Sequence, residues 1–301
     1  MTSRAAARRM LIAGASGTLG GPLAAQATAG GWEVTATYLT HPDRVRAGIP
    51  VRLDLRDAAA TNDLIASVHP DVIIHAAVTE RSGARYDDAI RQSGRHLAEA
   101  AAAAGIRLIA LSTDLVFDGT QEVYTEDSPP RPAANSQYGL AKVDAERSIA
   151  SICPDALIVR TSLIYDFDRE NAQVAWMLAA LERGETLRLY TDQIRCPIWG
   201  VNLADALIEL AGKPVSGLLH VVGPEPVSRY DLGVALLDAL GYEAARHVTP
   251  ASAPDTHPKV LHLPVDRARA ILDTPLLSIA EARACWERSA APGRAASKSC
   301  K

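Results

Sequence analysis

The chain has 301 residues, 48% of them hydrophobic and 22% charged, which is enough to bury a large core and inconsistent with a disordered protein. Its formal net charge of -4 supplies no general attraction to a polyanion, so nucleic acid is excluded as a partner while a local basic pocket for phosphates is not. Cys153, Cys196, Cys285 and Cys300 form no C-x-x-C or Cys/His cluster, which argues against a disulfide framework or a zinc site and for a reducing cytoplasm.

Residues 1–7 read as a flexible end. Arg8 and Arg9 then precede an apolar run over 10–13 that imitates a secretory leader but is too short for one. No later stretch approaches the ~20 apolar residues a bilayer span needs, so no membrane association is expected. The first half alternates short apolar runs with helical patterns. Strands are expected at 9–13, 33–37, 51–53, 72–75, 107–111 and 156–160, with helices at 19–29, 58–68, 86–104 and 138–151 between them. This is the rhythm of an α/β, doubly wound parallel (Rossmann) sheet whose helices are long enough for right-handed crossovers.

Beyond Arg160 the rhythm breaks: helices are expected at 172–183, 203–211 and 229–239, and strands at 186–190 and 217–222. We assign 8–165 to a dinucleotide-binding domain, with 195–215 returning to it. Segments 166–194 and 216–288 form a smaller C-terminal α/β substrate lobe, and 290–301 a second flexible end. Open α/β sheets bind ligands at the carboxyl edge of their strands, which is where this lobe is expected to close the site.

Gly14, Gly17 and Gly20 stand in G-A-S-G-T-L-G, directly after an expected strand and at the opening of an expected helix. Such a turn brings a pyrophosphate to free helix N–H groups and the positive end of the dipole, so Gly14, Ser16, Gly17, Thr18, Leu19 and Gly20 are candidate cofactor residues. A carboxylate ending the second strand would accept from a ribose 2′-hydroxyl and repel a 2′-phosphate. Here the strand runs out through Tyr38, Leu39, Thr40 and His41 with no acid before Asp43, and Arg44 follows, so NADP(H) is preferred and NAD(H) is the second choice. Asp54, followed by Leu55, is placed to accept from the adenine amino group or to cap the next helix.

The fifth strand leads into Ser112-Thr113-Asp114-Leu115, and a later helix opens Ser136-Gln137-Tyr138-Gly139-Leu140-Ala141-Lys142. Tyr138 and Lys142, four apart, share one helix face. Reducing a ketone needs a proton donor for the developing alkoxide; a tyrosine beside an ammonium can supply it, and the Thr113 hydroxyl can hold the same oxygen. Tyr and Lys at this spacing are common on helices, so the argument rests on the combination.

That combination resembles the extended short-chain dehydrogenases, and within them the dTDP-4-dehydrorhamnose reductase group, which includes the regulatory subunit of methionine adenosyltransferase. The resemblance is carried by Ser112-Thr113-Asp114, Val116-Phe117-Asp118-Gly119-Thr120, the Tyr138/Lys142 pair, Arg160-Thr161-Ser162, and Asp192-Gln193 with Pro197. It implies a triad of Thr113, Tyr138 and Lys142, with Lys142 also holding the nicotinamide ribose. Ala76 and Ala77 would line the cofactor. Val78, Asp114, Leu115, Leu163, Gln193 and Arg195 would line the substrate side.

The implied activity is NADPH-dependent reduction of a keto group, at C4, of a nucleotide-activated deoxysugar in a cytoplasmic homodimer. A non-catalytic NADP-binding regulatory subunit and a nucleotide-sugar 4-epimerase are the alternatives. The pattern departs from the reductases at Leu115 and Leu163, where an aromatic residue is usual, at Arg195 and Ile198, and at Arg91. These departures put the sugar in question, not the reaction class. No metal site is expected from the spacing of the eight histidines.

Overall fold

The computed structural model describes residues 8–77, 86–169 and 171–290. In chain order the first elements are β1 (Arg9–Ala13), α1 (Gly20–Ala29), β2 (Glu33–Tyr38), β3 (Ile49–Arg52), α2 (Ala58–Val68), β4 (Val72–His75), α3 (Tyr86–Ala104), β5 (Arg107–Thr113), α4 (Gln137–Ile152) and β6 (Leu157–Thr161). They are followed by β7 (Ile164–Tyr165), α5 (Ala172–Glu182), β8 (Leu187–Tyr190), β9 (Ile194–Arg195), β10 (Ile198–Trp199), α6 (Gly200–Ala211) and β11 (Gly217–His220). The last are β12 (Val227–Ser228), α7 (Arg229–Ala239), β13 (Val248–Ala251), α8 (Asp266–Ile271) and α9 (Ile279–Ala290).

The chain divides into two compact units. The first comprises residues 1–112, 140–159 and 207–218, and the second 113–139, 160–206 and 219–301. The expected flexible ends, 1–7 and 290–301, lie outside the described residues except for the backbone of Ala290.

The first unit is built on a seven-stranded sheet of order β11-β6-β5-β4-β1-β2-β3, with parallel pairing from β3 through β5. Strand order reverses between β1 and β4, so the turn after β1 opens at the switch point of a doubly wound fold. Near-continuous apolar strands such as Val72-Ile73-Ile74 bury both faces. Leu11, Ala13 and Ile73 on one face pack with Ile65 of α2, Leu97 and Ala101 of α3, and Ile149 of α4. The crossover helices start and stop by local rules. The Asp57 side chain accepts from Ala60 N at 3.0 Å to cap α2, and His69 ends that helix in the left-handed region at φ 49°. Strands β5, β6 and β11 continue at their carboxyl ends into residues of the second unit.

Small paired strands characterise the second unit: β7 with β10 and β8 with β13 in parallel, β9 with β12 antiparallel. Its core gathers Tyr165, Phe167, Met177, Leu189, Trp199 and Leu236, and Phe167 stacks on Trp286 with ring centroids 5.1 Å apart. Cys153 and Cys196 are free and buried.

Candidate functional site

In the first unit, the turn from β1 to α1 is made almost entirely of backbone. Gly14 has φ 94°, and a Cβ placed on it would lie 2.5 Å from Ala77 Cα; one placed on Gly20 would overlap the Gly14 carbonyl. These two glycines are required by the close approach of chain to chain. Gly17 differs: it is exposed, and a Cβ there would meet only Gly14 O, at 3.4 Å. The turn is fixed by Gly17 N donating to Gly14 O at 3.1 Å and by Gly14 N donating to Thr37 Oγ1 at 3.2 Å. Leu19 at the head of α1 makes no side-chain cap, and no acid sits in the first turn. With Ser16 half-buried and Thr18 exposed, the helix presents uncapped N–H groups and no repelling carboxylate, which fits a phosphate-bearing cofactor.

Around the expected adenosine end, Thr40 and Arg44 are exposed, Arg44 on a short turn over Pro42–Arg44. Asp54 does not cap α2; that role falls to Asp57. Instead Asp54 accepts from Arg56 Nε at 2.9 Å, and Arg56 holds its carboxyl below the ordinary aspartate range. Leu55 is buried, its carbonyl 2.9 Å from His96 Nδ1. The sequence reading missed Arg46, whose Cδ lies 3.1 Å from where a Gly21 Cβ would stand, so its side chain covers the first turn of α1. Its position two residues after Arg44 was the available signal.

Also in the first unit, buried Lys142 donates from Nζ to Leu111 O at 3.0 Å, which ties the helix face of α4 to β5. His75, at the end of β4, is fully enclosed. Burial, and then the Lys142 ammonium, push its pKa down to about 3, so it is neutral at physiological pH. Ala76 and Ala77 follow it, half-buried; Val78 lies outside the described residues.

In the second unit, Thr113 caps the short turn Asp114–Val116: Leu115 N donates to Thr113 Oγ1 at 3.2 Å. Buried Tyr138 stands in the first turn of α4, one helical turn before Lys142 in the chain. Gly139 beside it has no room for a side chain, since a Cβ would overlap Leu115 O and stand 2.8 Å from Ser136 Oγ. Leu115 is half-buried, Leu163 packs on the core of this unit, and Gln193 is buried with Nε2 3.4 Å from Pro258 O.

Asp114 is wholly buried and saturated. It accepts from Arg195 Nε at 2.6 Å and again from Arg195 Nη2, from Ser162 Oγ at 2.5 Å, and from Thr113 Oγ1 at 3.2 Å. Two residues expected to face substrate thus form a bidentate buried ion pair. Among the described residues, no cluster of three or more His, Cys, Asp or Glu could hold a metal, and no helix is long and apolar enough to cross a membrane.

The family model of the RmlD substrate binding domain matches residues 8–273. The dTDP-4-dehydrorhamnose reductase of Mycobacterium tuberculosis is 32% identical over 259 residues, 81% of this chain and 79% of that protein. Methionine adenosyltransferase 2 subunit beta of Xenopus tropicalis is 29% identical over 257 residues, 81% of this chain and 75% of that protein. Among solved structures, the dTDP-4-dehydrorhamnose reductase of Bacillus anthracis in complex with NADP superposes with a TM-score of 0.78 at 24% identity, covering 95% of this chain and 99% of that one. With a match of this length, the chain belongs to the RmlD substrate-binding domain family.

Proposed function

We propose that the chain is an NADPH-dependent ketoreductase that reduces a keto group, at C4, of a nucleotide-activated deoxysugar. The observation that supports this reading is the presence, in a member of this family, of Thr113 at a strand end and of Tyr138 and Lys142 four apart on one helix. The glycine turn and the uncapped start of α1 would hold the pyrophosphate, and Arg44, with Arg46 two residues on, would meet a 2′-phosphate. The bound cofactor supplies hydride. The chain supplies the proton: Tyr138 donates it to the oxygen that becomes alkoxide-like, and Thr113 Oγ1 holds that oxygen in line. The Lys142 ammonium, oriented by its bond to Leu111 O, favours the charged phenolate left behind. Arg195 occupies Asp114, which leaves Tyr138 as the acid.

Tyr138→Phe is expected to keep NADPH affinity and to cut turnover by roughly 100-fold or more, because it removes the donor and keeps the ring. Near-normal turnover would remove Tyr138 from the mechanism. The likeness to methionine adenosyltransferase 2 subunit beta supports a second reading, a regulatory NADP-binding subunit. Tight NADPH binding with no oxidation by any ketosugar would select it.

A further inference from the structure

In the second unit, one guanidinium stands beside another with a single carboxylate acting on both: Arg229 next to Arg195 and Asp114. Arg229 opens α7, its backbone N donating to Gln193 O at 3.0 Å, directly after β12 has paired with β9. Its residue surface is half-buried, yet its Nη1 atom is enclosed and has no hydrogen-bond partner among the described residues. The carboxylate that acts on it, Asp114, and the acids two residues on and next to its backbone partner Gln193 all have other partners. Asp114 is saturated by Arg195, Ser162 and Thr113; Asp192 accepts from Ala253 N and Lys259 Nζ; Asp231 accepts from Ser228 Oγ. Burial, and then the like charge of Arg195, push Arg229 down to about 10, and Asp114 and Tyr190 offset this only in part.

A guanidinium that is poorly solvated, short of a counter-charge and still partly accessible is a receptor for an oxyanion, since its planar fork matches carboxylate and phosphate alike. We infer that Arg229 binds an anionic oxygen group of the substrate, a phosphate or a carboxylate. This rests on the ketoreductase reading for the word substrate, but not for the anion site itself. It also refines that reading. Arg195 departs from the reductase pattern and consumes Asp114, and Asp114 adjoins Thr113, so the unmatched charge lies in the same cluster as the Thr113 hydroxyl. Substrate selection there would turn on one strong ionic contact, beside Leu115 and Leu163, which offer no hydrogen bonds.

The test uses the full chain saturated with NADP, so that the phosphate turn is filled, titrated calorimetrically with inorganic pyrophosphate and separately with glucuronate. At least one should bind. Arg229→Gln should weaken it about 10- to 100-fold, and Arg229→Lys, which keeps charge but loses the fork, by less. Pyrophosphate as the sensitive probe assigns the site to a nucleotide phosphate; glucuronate assigns it to a carboxylate on the sugar. Binding of neither probe, or equal binding by Arg229→Gln, overturns the inference. The melting temperature is a second readout. Removing a surplus cation beside Arg195 should leave it unchanged or raise it, whereas a clear fall would make Arg229 a structural residue and also overturn the inference. If NADP fails to bind or no ketosugar is reduced, the ketoreductase reading fails alone, since loss of anion binding in Arg229→Gln is measured without turnover.

Discussion

The glycine turn of the first unit and the polar cluster of the second are built by opposite means. The turn around Gly14 uses backbone N–H groups and bare space, with no charged side chain in the first turn of α1. The cluster around Asp114 uses buried formal charges, Arg195 and Arg229 against one carboxylate. A site of the first kind should tolerate changes of charge and fail on added volume. One of the second kind should tolerate changes of volume and fail on changed charge.

The sharpest way to break this contrast is Gly17→Val. Gly17 is exposed and a Cβ meets only one atom, so the fold should survive while the added methyls fill the space a pyrophosphate needs. Dinucleotide binding is expected to vanish with little change in unfolding midpoint, and an unchanged NADPH titration of intrinsic fluorescence would defeat the assignment. Next in size is Asp114→Ala. It strands the buried Arg195 guanidinium and should cost about 3–5 kcal/mol in denaturant unfolding. A loss under ~1 kcal/mol would mean the cluster is solvated rather than charge-dependent. The smallest effect concerns the edge of the phosphate turn, where Arg44 and Arg46 are exposed. NADPH should bind about 10- to 100-fold tighter than NADH, corresponding to one charge-assisted contact of ~1.5–3 kcal/mol. Arg44→Ala and Arg46→Ala together should erase that preference, and the single variants show how it is shared. Equal affinity for both cofactors in the unmodified protein refutes the role.

The first unit was legible in the sequence almost to the residue, because its signals are local. The apolar runs of β1 and β4 and the glycines between β1 and α1 each depend on neighbours in the chain. The second unit was legible only in its longer pieces, such as α5 and α7. Strands β7, β9, β10 and β12 have two residues each, too few to carry a period. The Arg195–Asp114 pair joins positions 81 apart, and nothing in either segment announces its partner. The cap of α2 is a local case: of the two acids before the helix, Asp57 and not Asp54 takes it, while Asp54 pairs with Arg56 two residues on.

The contact between Gly139 and Leu115 separates two things that usually change together. At its first turn, helix α4 meets the backbone carbonyl of Leu115 at Gly139, and the glycine is what allows that seat. Residue 115 can therefore be exchanged without moving the mount of Tyr138, while residue 139 cannot. The first turn of α4 is thus seated on a part of the chain that every residue type shares, and position 115 can drift through sequence space without disturbing it.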